Sequence, residues 1–495
     1  MKKDKIKIDL LTIVTILAIV SSSIISKGIG DLDELWNYNI SNVFSNGLLP
    51  YKDYNTLVTP LLQMLAGIVL KIFPNELITM RILAVLLISG ILFLAYKILD
   101  SLKVNNSLKI FSLIGIIFLE YKYFCIDYNF FALFLTLIIM LLEIKNKKEQ
   151  SSKYNLLIGI LAGLVCMTKQ TIGILVATSI VGYMVIFLII DKFKYKKDIK
   201  EQLKNILFRI VGILIPIFIF LIYLLCTKSF NDFIDYAILG IKTFSNTIEY
   251  RSLVESKNII IKFLAILVPV SFFINFIISI KEKNKKLFII NCLAISMFVV
   301  AFPISDNIHF LIGSTISFLA ITYNLDNILR KILKNKNIVF IKLFSECFAI
   351  CLLITIFISG VYVNYNNITQ TKYYSKLKHY GFIPIDESFE EQIKVMDNYI
   401  ENSDKKVYIL NFDAALYMIP IDRYNKDYDM FMKGNFGSKG EQGIIEKIQK
   451  EDAKYLIIKD GIGRNWQNPE DVRKYIKENM KYVESISNYD VYENY

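Results

Sequence analysis

Long apolar blocks alternate with short polar segments along most of the chain. Four of these blocks, at 13–25, 82–96, 172–190 and 211–226, contain no charged residue. A helix needs about 17–25 predominantly apolar residues to cross the hydrocarbon core of a bilayer. The pattern therefore predicts an integral membrane protein with many transmembrane helices.

The polar segments between the blocks are rich in lysine, and they orient the predicted helices. Cytoplasmic loops of membrane proteins carry an excess of Lys and Arg. We therefore place the N-terminus and the loops at 145–153, 192–204, 281–286 and 330–336 inside. The resulting eleven spans are 10–26, 76–98, 107–121, 128–144, 154–168, 171–190, 205–227, 258–280, 286–303, 308–324 and 338–363.

One further apolar block, at 57–73, would reverse this orientation if it crossed the membrane. We predict that it lies in the outer interface or re-enters the bilayer. The loop at about 27–75 and everything after 365 then lie outside the cell. The N-terminal block resembles a signal peptide in its basic start, but no small-residue cleavage motif follows it, so we predict a retained first helix.

The polar region at 366–495 shows alternating strand and helix patterns. Strand-like runs occur at 406–411, 454–459 and 490–492, and helical patterns occur at 387–402, 440–451 and 469–480. Turn-forming residues at 402–404 and 460–461 separate them. We predict two regions: an all-α polytopic membrane bundle at 1–365, and a small extracytoplasmic α/β domain at 366–495.

Composition narrows the class of protein further. The chain is 54% hydrophobic and carries a formal net charge of +12. Most of the excess charge falls in the short inner loops, so it indicates membrane orientation, and we predict no binding of nucleic acid. Six cysteines lie in or beside apolar blocks, which favours packing in the membrane over disulfides. They are Cys125, Cys166, Cys226, Cys292, Cys347 and Cys351.

The predicted outer loop opens with a cluster of carboxylates. Asp31, Asp33 and Glu34 follow the first span directly. Carboxylates at a bilayer surface are either solvent-exposed residues without a functional role or part of a site, and both interpretations are open for this cluster. Further along, Tyr51 and Asp53 lie in a loop that Pro50 shapes, because proline interrupts regular structure.

Other ionisable residues fall at the same predicted outer level. Ionisable groups at membrane depth are costly and tend to mark function. Lys169, followed by Gln170, lies in a tight turn between apolar stretches, where it is either a site residue or a snorkelling lysine. His309, three residues after Asp306, is either an interfacial histidine or one of a pH-tuned pair. The full set is Arg81, Glu120, Asp127, Lys169, Asp306 and His309.

These residues describe an outer cavity that suits an anionic lipid phosphate, and their order resembles a known superfamily. The acidic pair at 33–34, the segments at 47–54 and 60–61 and Arg81 resemble the GT-C membrane glycosyltransferases, such as protein O-mannosyltransferases and aminoarabinose transferases. The segments at 163–171 and 302–309 resemble the superfamily's lysine turn and Pro–Asp–His element. The tail, including 434–437, resembles its extracytoplasmic domain.

The resemblance implies transfer of a sugar from a polyprenyl-phosphate donor to an extracytoplasmic hydroxyl, with inversion at the anomeric carbon. It implies that Asp33 is the base, with Glu34 in support, and that Lys169, Arg81 and His309 neutralise the phosphate. Asp31 precedes the usual acidic pair, so which of the three carboxylates is the base stays open. Further supporting residues are Asp31, Tyr51, Asp53, Asp127, Gln170 and Asp306.

Several points remain open at the level of sequence. Some superfamily members use a divalent metal and others do not, so a metal is possible here. The alternative functions are a polymerase or ligase of lipid-linked cell-surface polysaccharide, and a flippase or transporter for it. The abundance of Ile, Lys and Asn is typical of an AT-rich bacterial genome, which predicts a location in the cytoplasmic membrane. The implied partners are the lipid-linked donor, an acceptor and the bilayer.

Overall fold

Helices form most of the chain, as the apolar pattern predicts. The computed structural model describes residues 2–145, 151–243, 248–333, 339–460 and 468–495. The α-helices of these residues are α1 Lys2–Ile24, α2 Leu32–Ser45, α3 Leu61–Ile72, α4 Leu77–Ser101, α5 Asn106–Glu120, α6 Tyr128–Lys145, α7 Ser152–Cys166, α8 Gln170–Phe193, α9 Lys200–Cys226, α10 Phe230–Phe233, α11 Arg251–Val254, α12 Ile259–Lys281, α13 Lys285–Phe298, α14 Asn307–Leu333, α15 Val339–Gln370, α16 Glu387–Glu401, α17 Ala414–Met418, α18 Gly440–Ile448 and α19 Glu470–Asn479.

Shorter helical turns and four strands complete the secondary structure of the described residues. The 3₁₀ turns are Tyr121–Tyr123, Gly240–Thr243 and Val299–Ala301, and a π-helical segment covers Ile234–Leu239. The strands are β1 Lys406–Ile409, β2 Ala453–Ile458, β3 Lys481–Ile486 and β4 Tyr489–Glu493.

The helices confirm the predicted polytopic membrane protein. Within the described residues, eight helices are long and apolar enough to cross a bilayer. Three other predicted spans are shorter: α5 and α7 have 15 residues each and α13 has 14. At 1.5 Å per residue these helices fall short of a bilayer core of about 30 Å. The count of eleven spans therefore stays a prediction. The predicted interfacial block corresponds to α3, which has 12 residues.

The chain folds as two compact units. Unit 1 comprises the described residues of Met1–Ile25, Ala84–Phe220 and Thr247–Ile368. Unit 2 comprises the described residues of Ser26–Leu83, Leu221–Asn246 and Thr369–Tyr495. The predicted inner loops at 145–153 and 330–336 and the predicted turn at 460–461 fall partly outside the described residues.

Close backbone contact between α7 and α9 holds part of unit 1 together. A Cβ added at Gly159 on α7 would come within 2.3 Å of the Arg209 carbonyl oxygen on α9. Small residues allow such approach between membrane helices, where packing and polar contacts drive association. At the same crossing, the buried Arg209 side chain donates to Glu143 and, at 2.8 Å, to Asn155.

A four-stranded sheet in unit 2 confirms the α/β character of the tail. The strand order is β1-β2-β4-β3, with β1 and β2 parallel and the other pairs antiparallel. A crossover that includes α18 joins the parallel pair, as parallel strands require. Buried side chains of the sheet, among them Tyr408, Tyr455 and Ile457, pack against Val472 and Ile476 of α19.

The tail matches its predicted elements closely, with two additions. The helical patterns correspond to α16, α18 and α19, and the strand-like runs correspond to β1, β2 and β4. β3 and α17 were not predicted from the sequence. β3 is an edge strand whose residues are mostly exposed, so its side chains lack the clear alternation that marks a half-buried strand.

The tail and the segment that follows α1 fold together as unit 2. His379 Nδ1 lies 2.6 Å from the Asn75 carbonyl oxygen, and its Nε2 lies 2.8 Å from Asp422 Oδ1. The His379 ring therefore links the segment before α4 to the tail residue Asp422. Burial tends to raise the pKa of Asp422, but hydrogen bonds from Lys378 and His379 lower it overall. The backbone N–H of Asn55 also donates to the Lys426 carbonyl oxygen at 2.8 Å.

The contact between α7 and α9 predicts an intolerance to larger side chains. We expect Gly159→Leu to lower the free energy of unfolding by about 1–3 kcal/mol or more, because backbone atoms cannot yield as side chains do. Gly115→Leu on α5 is the matched control, since a Cβ there meets nothing within 4 Å. Thermal unfolding of both variants in detergent measures the difference, and equal melting temperatures would contradict the proposed close contact.

A buried carboxyl of α16 predicts a specific dependence of stability on pH. Burial, together with the smaller effect of the nearby Glu401 carboxylate, raises the pKa of Asp397 to about 7, and one Asp397 oxygen has no partner among the described residues. Between the ordinary Asp pKa of about 3.9 and about 7, the folded chain keeps a proton that the unfolded chain has lost. The free energy of unfolding therefore falls as pH rises through this window.

We expect Asp397→Asn to remove this penalty. At pH 8 the variant should be more stable than wild type by on the order of 2 kcal/mol, allowing for partial solvent screening, and the difference should vanish near pH 4. Asp404→Asn is the control, because ion pairing with Lys454 lowers the pKa of that exposed carboxylate. Urea unfolding at several pH values gives the differences, and a pH-independent effect of Asp397→Asn would rule the account out.

Candidate functional site

The three predicted carboxylates lie at the start of α2 in unit 2. Asp31 is the N-cap: its side chain accepts from the Glu34 backbone N–H at 3.2 Å and pairs with Lys27 at 2.9 Å. Aspartate is a preferred N-cap, and a helix N-terminus stabilises negative charge. Asp33 is half-buried in the first turn, and its carbonyl oxygen accepts from the Asn37 side chain at 2.8 Å.

Glu34 and Arg81 form a fully buried ion pair. Arg81 Nε lies 3.0 Å from Glu34 Oε1, and Arg81 Nη2 lies 2.8 Å from Glu34 Oε2, which is a bidentate arrangement. The same guanidinium donates to the carbonyl oxygens of Lys27 and, at 3.0 Å, Gly28. Arg81 therefore holds Glu34 and the backbone before α2 in one place.

Tyr51 and Asp53 shape the loop between α2 and α3. Tyr51 adopts a φ of 62°, and its buried hydroxyl donates to the Val58 carbonyl oxygen at 2.9 Å. Asp53 accepts from the Leu49 backbone N–H at 2.8 Å. Both side chains thus bind the backbone of their own loop.

Lys169 and Asp127 meet through the start of α6 in unit 1. Asp127 accepts from the backbone N–H of Asn129 at 2.7 Å and of Phe130 at 3.4 Å. Lys169, the residue before α8, donates from Nζ to Asn129 Oδ1 at 2.8 Å and lies 5.1 Å from the centre of the Tyr128 ring. The amide and the ring, a cation–π partner, fix the ammonium group. Gln170 is the first residue of α8.

His309 belongs to the same group. Its Nδ1 lies 2.8 Å from Asp306 Oδ1, and its backbone N–H donates to the same oxygen at 2.9 Å, in the first turn of α14. Burial raises the pKa of Asp127, and the charges of His309 and Lys169 oppose that rise. The structure thus brings Asp127, Lys169, His309 and Asp306 together in unit 1. We call these four residues the basic group.

Two neighbours of these residues were missed from the sequence. Asn129 contacts Lys169 directly, and the available signal was its place two residues after Asp127 at the start of an apolar block. Tyr128 was hidden among many aromatic residues. Glu120, also expected at the outer level, is buried and accepts from the Thr315 hydroxyl at 2.9 Å.

The described side chains offer no cluster suited to a metal ion. Within the described ranges, no three His, Cys, Asp or Glu residues are placed to share one. Glu34 is already bound by Arg81, and Asp31 by Lys27 and the helix start.

Comparison with known proteins identifies the fold. No family model and no curated protein matches the sequence. ArnT from Cupriavidus metallidurans in the apo state is 11% identical, with a TM-score of 0.55, and the match covers 100% of this chain and 98% of ArnT. The structure of the same enzyme bound to undecaprenyl phosphate matches at 10% identity and a TM-score of 0.53, with coverages of 98% and 97%.

An archaeal protein gives a similar result. The oligosaccharyltransferase AglB from Archaeoglobus fulgidus, in complex with an inhibitory peptide and a dolichol-phosphate, is 11% identical with a TM-score of 0.52. The match covers 92% of this chain and 70% of AglB. Both proteins are GT-C glycosyltransferases. The fold expected from the sequence resemblance is therefore confirmed: this chain is a multi-pass membrane protein with a GT-C-like fold.

The buried pair of Glu34 and Arg81 predicts a large loss of stability when it is broken. We expect Glu34→Gln to cost about 3–5 kcal/mol, because it leaves a buried guanidinium without its counter-charge. Asp31→Asn is the matched control. Asparagine is an equally good N-cap, and a partly exposed ion pair contributes about 1 kcal/mol or less. Thermal unfolding should separate the two variants clearly, and equal small effects would argue against a buried pair.

Proposed function

We propose that this protein transfers a sugar from a polyprenyl-phosphate donor to a hydroxyl group of an extracytoplasmic acceptor. The observation that carries the proposal is the end-to-end similarity of fold to ArnT, an enzyme whose structure contains undecaprenyl phosphate. The dolichol-phosphate in the AglB complex supports the same class of lipid carrier. The acceptor is a glycan, lipid or protein of the cell envelope.

The proposed orientation follows from the lysine-rich loops. We place the N-terminus in the cytoplasm and the tail outside, in the cytoplasmic membrane of a bacterium. Together with this orientation, we propose the domain division predicted from the sequence. It comprises a membrane region at 1–365 and an extracytoplasmic domain at 366–495.

Asp33 is our candidate for the general base. The acceptor oxygen attacks the anomeric carbon, the bond from that carbon to the phosphate oxygen breaks, and the hydroxyl proton passes to the Asp33 carboxylate. Attack from the face opposite the phosphate inverts the configuration. Asp33 is half-buried, whereas Glu34 is fully buried against Arg81. This difference in access supports Asp33 as the residue that meets the acceptor, with Glu34 and Arg81 positioning it.

Lys169 is our candidate for the phosphate contact, with His309 beside it in the basic group. The leaving phosphate carries negative charge. Preorganised cations beside this phosphate therefore stabilise the transition state more than proton donation does. Asn129 and Tyr128 hold the Lys169 ammonium group from one side. We assign Arg81 to positioning, because its buried guanidinium already binds Glu34 and two backbone carbonyls.

The likeness to AglB favours a second candidate. AglB is an oligosaccharyltransferase, so a chain of this fold is suited to transfer of an entire lipid-linked glycan. A ligase of this kind uses a polyprenyl carrier as well, and it differs in the size of the group transferred.

A panel of polyprenyl-linked donors tests both candidates. We would incubate the purified protein in detergent with radiolabelled polyprenyl-phosphate sugars and with polyprenyl-linked oligosaccharides, with and without an envelope extract as acceptor. We expect release of the lipid carrier. Asp33→Asn should lower the rate by about 10²–10⁴-fold, the usual contribution of a general base. Lys169→Met should lower it by about 10²–10³-fold.

Asp404→Asn serves as the matched control, because this exposed carboxylate lies in the tail and pairs with Lys454. It should keep the wild-type rate. Turnover with single-sugar donors alone supports the first candidate, and turnover with oligosaccharide donors alone supports the second. A turnover rate that Asp33→Asn leaves unchanged would rule out Asp33 as the general base. No turnover with any donor would favour a flippase or transporter.

A further inference from the structure

A turn at the start of the tail carries an exposed aromatic ring. The segment at 372–384, which we call the tail turn, doubles back on itself, and the Ser375 backbone N–H donates to the Ile383 carbonyl oxygen at 2.8 Å. Phe382 in this turn is 76% exposed, although the nearby Tyr380 and Ile383 are buried. Neither the proposed transfer step nor the basic group uses Phe382.

The backbone at Phe382 is strained as well. Its φ is 64°, in a region that bulky side chains rarely adopt. Residues held in such conformations cluster at functional sites. A phenyl ring in water also forgoes the free energy that an apolar environment would provide. An apolar environment outside the protein would offset both costs.

Hydrogen bonds fix the tail turn beside the connection from α3 to α4. The Leu77 backbone N–H donates to the His379 carbonyl oxygen at 2.9 Å, and the Gly381 backbone N–H donates to Glu76 Oε2 at 3.0 Å. Leu77 is the first residue of α4, which is long and apolar enough to cross a bilayer. The ends of such a helix lie in the interfacial regions of the membrane. Phe382, the residue after Gly381, therefore lies near this level.

The helix α3 brings further exposed apolar side chains to the same connection. Leu65, Ile68 and Ile72 are exposed, and their spacing of three and four residues places them on one face of α3. Ile72 is 72% exposed, and the following Phe73 is 59% exposed. The connection that binds the tail turn begins directly after Phe73. Several exposed apolar side chains together, unlike single ones, mark an interaction surface.

The composition of the tail turn indicates what this surface contacts. The residues at 372–382 include three tyrosines and three lysines and no carboxylate. The exposed Lys376 lies 5.5 Å from the centre of the Tyr373 ring. Tyrosine is enriched at the interface between membrane and water, where lysine reaches the lipid phosphates while its apolar stem stays on the hydrocarbon side. These residues therefore favour a phospholipid surface as the partner.

We propose that the tail turn and the exposed face of α3 form one membrane-contacting surface, and that the Phe382 ring enters the interfacial region of the lipid leaflet. The partner is the phospholipid surface itself, so the contact is independent of the proposed transfer reaction and of its substrates. The sequence predicts an interfacial position for α3, whereas it predicts that the tail lies outside the membrane. The contact at Phe382 ties the start of the tail to the lipid surface.

Quenching of tryptophan fluorescence by brominated lipids tests the contact without any need for turnover. The chain contains two tryptophans, Trp36 and Trp466. A Trp466→Phe parent keeps the buried Trp36, whose signal is subtracted. Into this parent we would introduce Phe382→Trp or Phe73→Trp. Each full chain would be placed in nanodiscs of phospholipids that carry bromine on their acyl chains, and in matched discs without bromine.

Tyr482→Trp is the matched control, because Tyr482 is an aromatic residue of the tail that is 52% exposed on β3. We expect brominated lipid to lower the fluorescence of Phe382→Trp and of Phe73→Trp and to leave that of Tyr482→Trp unchanged. Acrylamide in the aqueous phase should quench Tyr482→Trp the most. Phe382→Trp should melt with its parent, since the exposed ring is replaced without disturbing the buried side chains of the tail turn.

Each other result would overturn the proposed surface. Quenching of Phe382→Trp by acrylamide but not by brominated lipid would place the ring in water. Quenching by neither agent would show that protein covers it. Quenching of Phe73→Trp alone by brominated lipid would restrict the lipid contact to α3, and equal lipid quenching of Tyr482→Trp would show that the contact is not specific to the tail turn. None of these results depends on the transferase assay.

Discussion

The buried ion pair between Glu34 and Arg81 is the interaction on which the arrangement of unit 2 depends. Burying two charges is costly, and their attraction offsets this cost only when the geometry is good and the remaining donors are satisfied. Here the pairing is bidentate, and Arg81 also donates to the carbonyl oxygens of Lys27 and Gly28. One guanidinium therefore fixes the backbone before α2 and the first turn that contains Asp33.

The tail stabilises the same region from its other side. His379 binds the Asn75 carbonyl oxygen just before α4, and the His379 carbonyl oxygen accepts from the Leu77 backbone N–H at 2.9 Å. Asp429 binds the Leu57 backbone N–H in the loop before α3. These bonds satisfy backbone groups of a long loop that has few regular partners of its own. The residues after 369 thus complete the fold of the segment that contains the acidic residues.

The elements of the fold were predictable because their signals are local. Apolar blocks gave the membrane helices, and alternating patterns gave α16, α18, α19 and three of the four strands. The edge strand β3 was not predicted. It pairs with one neighbouring strand and its side chains are mostly exposed, so its sequence shows no clear alternation of apolar and polar residues. The number of transmembrane spans was harder to predict from the sequence. The helices α5, α7 and α13 are shorter than a bilayer crossing, although their sequences are apolar enough to be predicted as spans.

Partners within the site were harder to predict than its residues. The sequence singled out Arg81 and Glu34 separately, one as a phosphate ligand and one as a support for the base. Nothing local shows that residues 47 positions apart bind each other inside the protein. Asn129 was missed for the same reason, since its role depends on Lys169, 40 residues away. Long-range hydrogen bonds of this kind follow from the packing of helices, which a single sequence does not encode in any short pattern.

The short helix α2 explains how these features act together. Its N-terminus is held by the Asp31 cap and by Arg81, and its middle packs against α3, where a Cβ at Gly67 would meet the Ser41 carbonyl oxygen at 2.8 Å. Near its C-terminus, Asn42 accepts from Asn75 at 2.5 Å. A site built on a helix fixed at three levels keeps its geometry better than one built on a free loop. Asp33 lies in the first turn of this helix, so the contacts that fix α2 also position the proposed base.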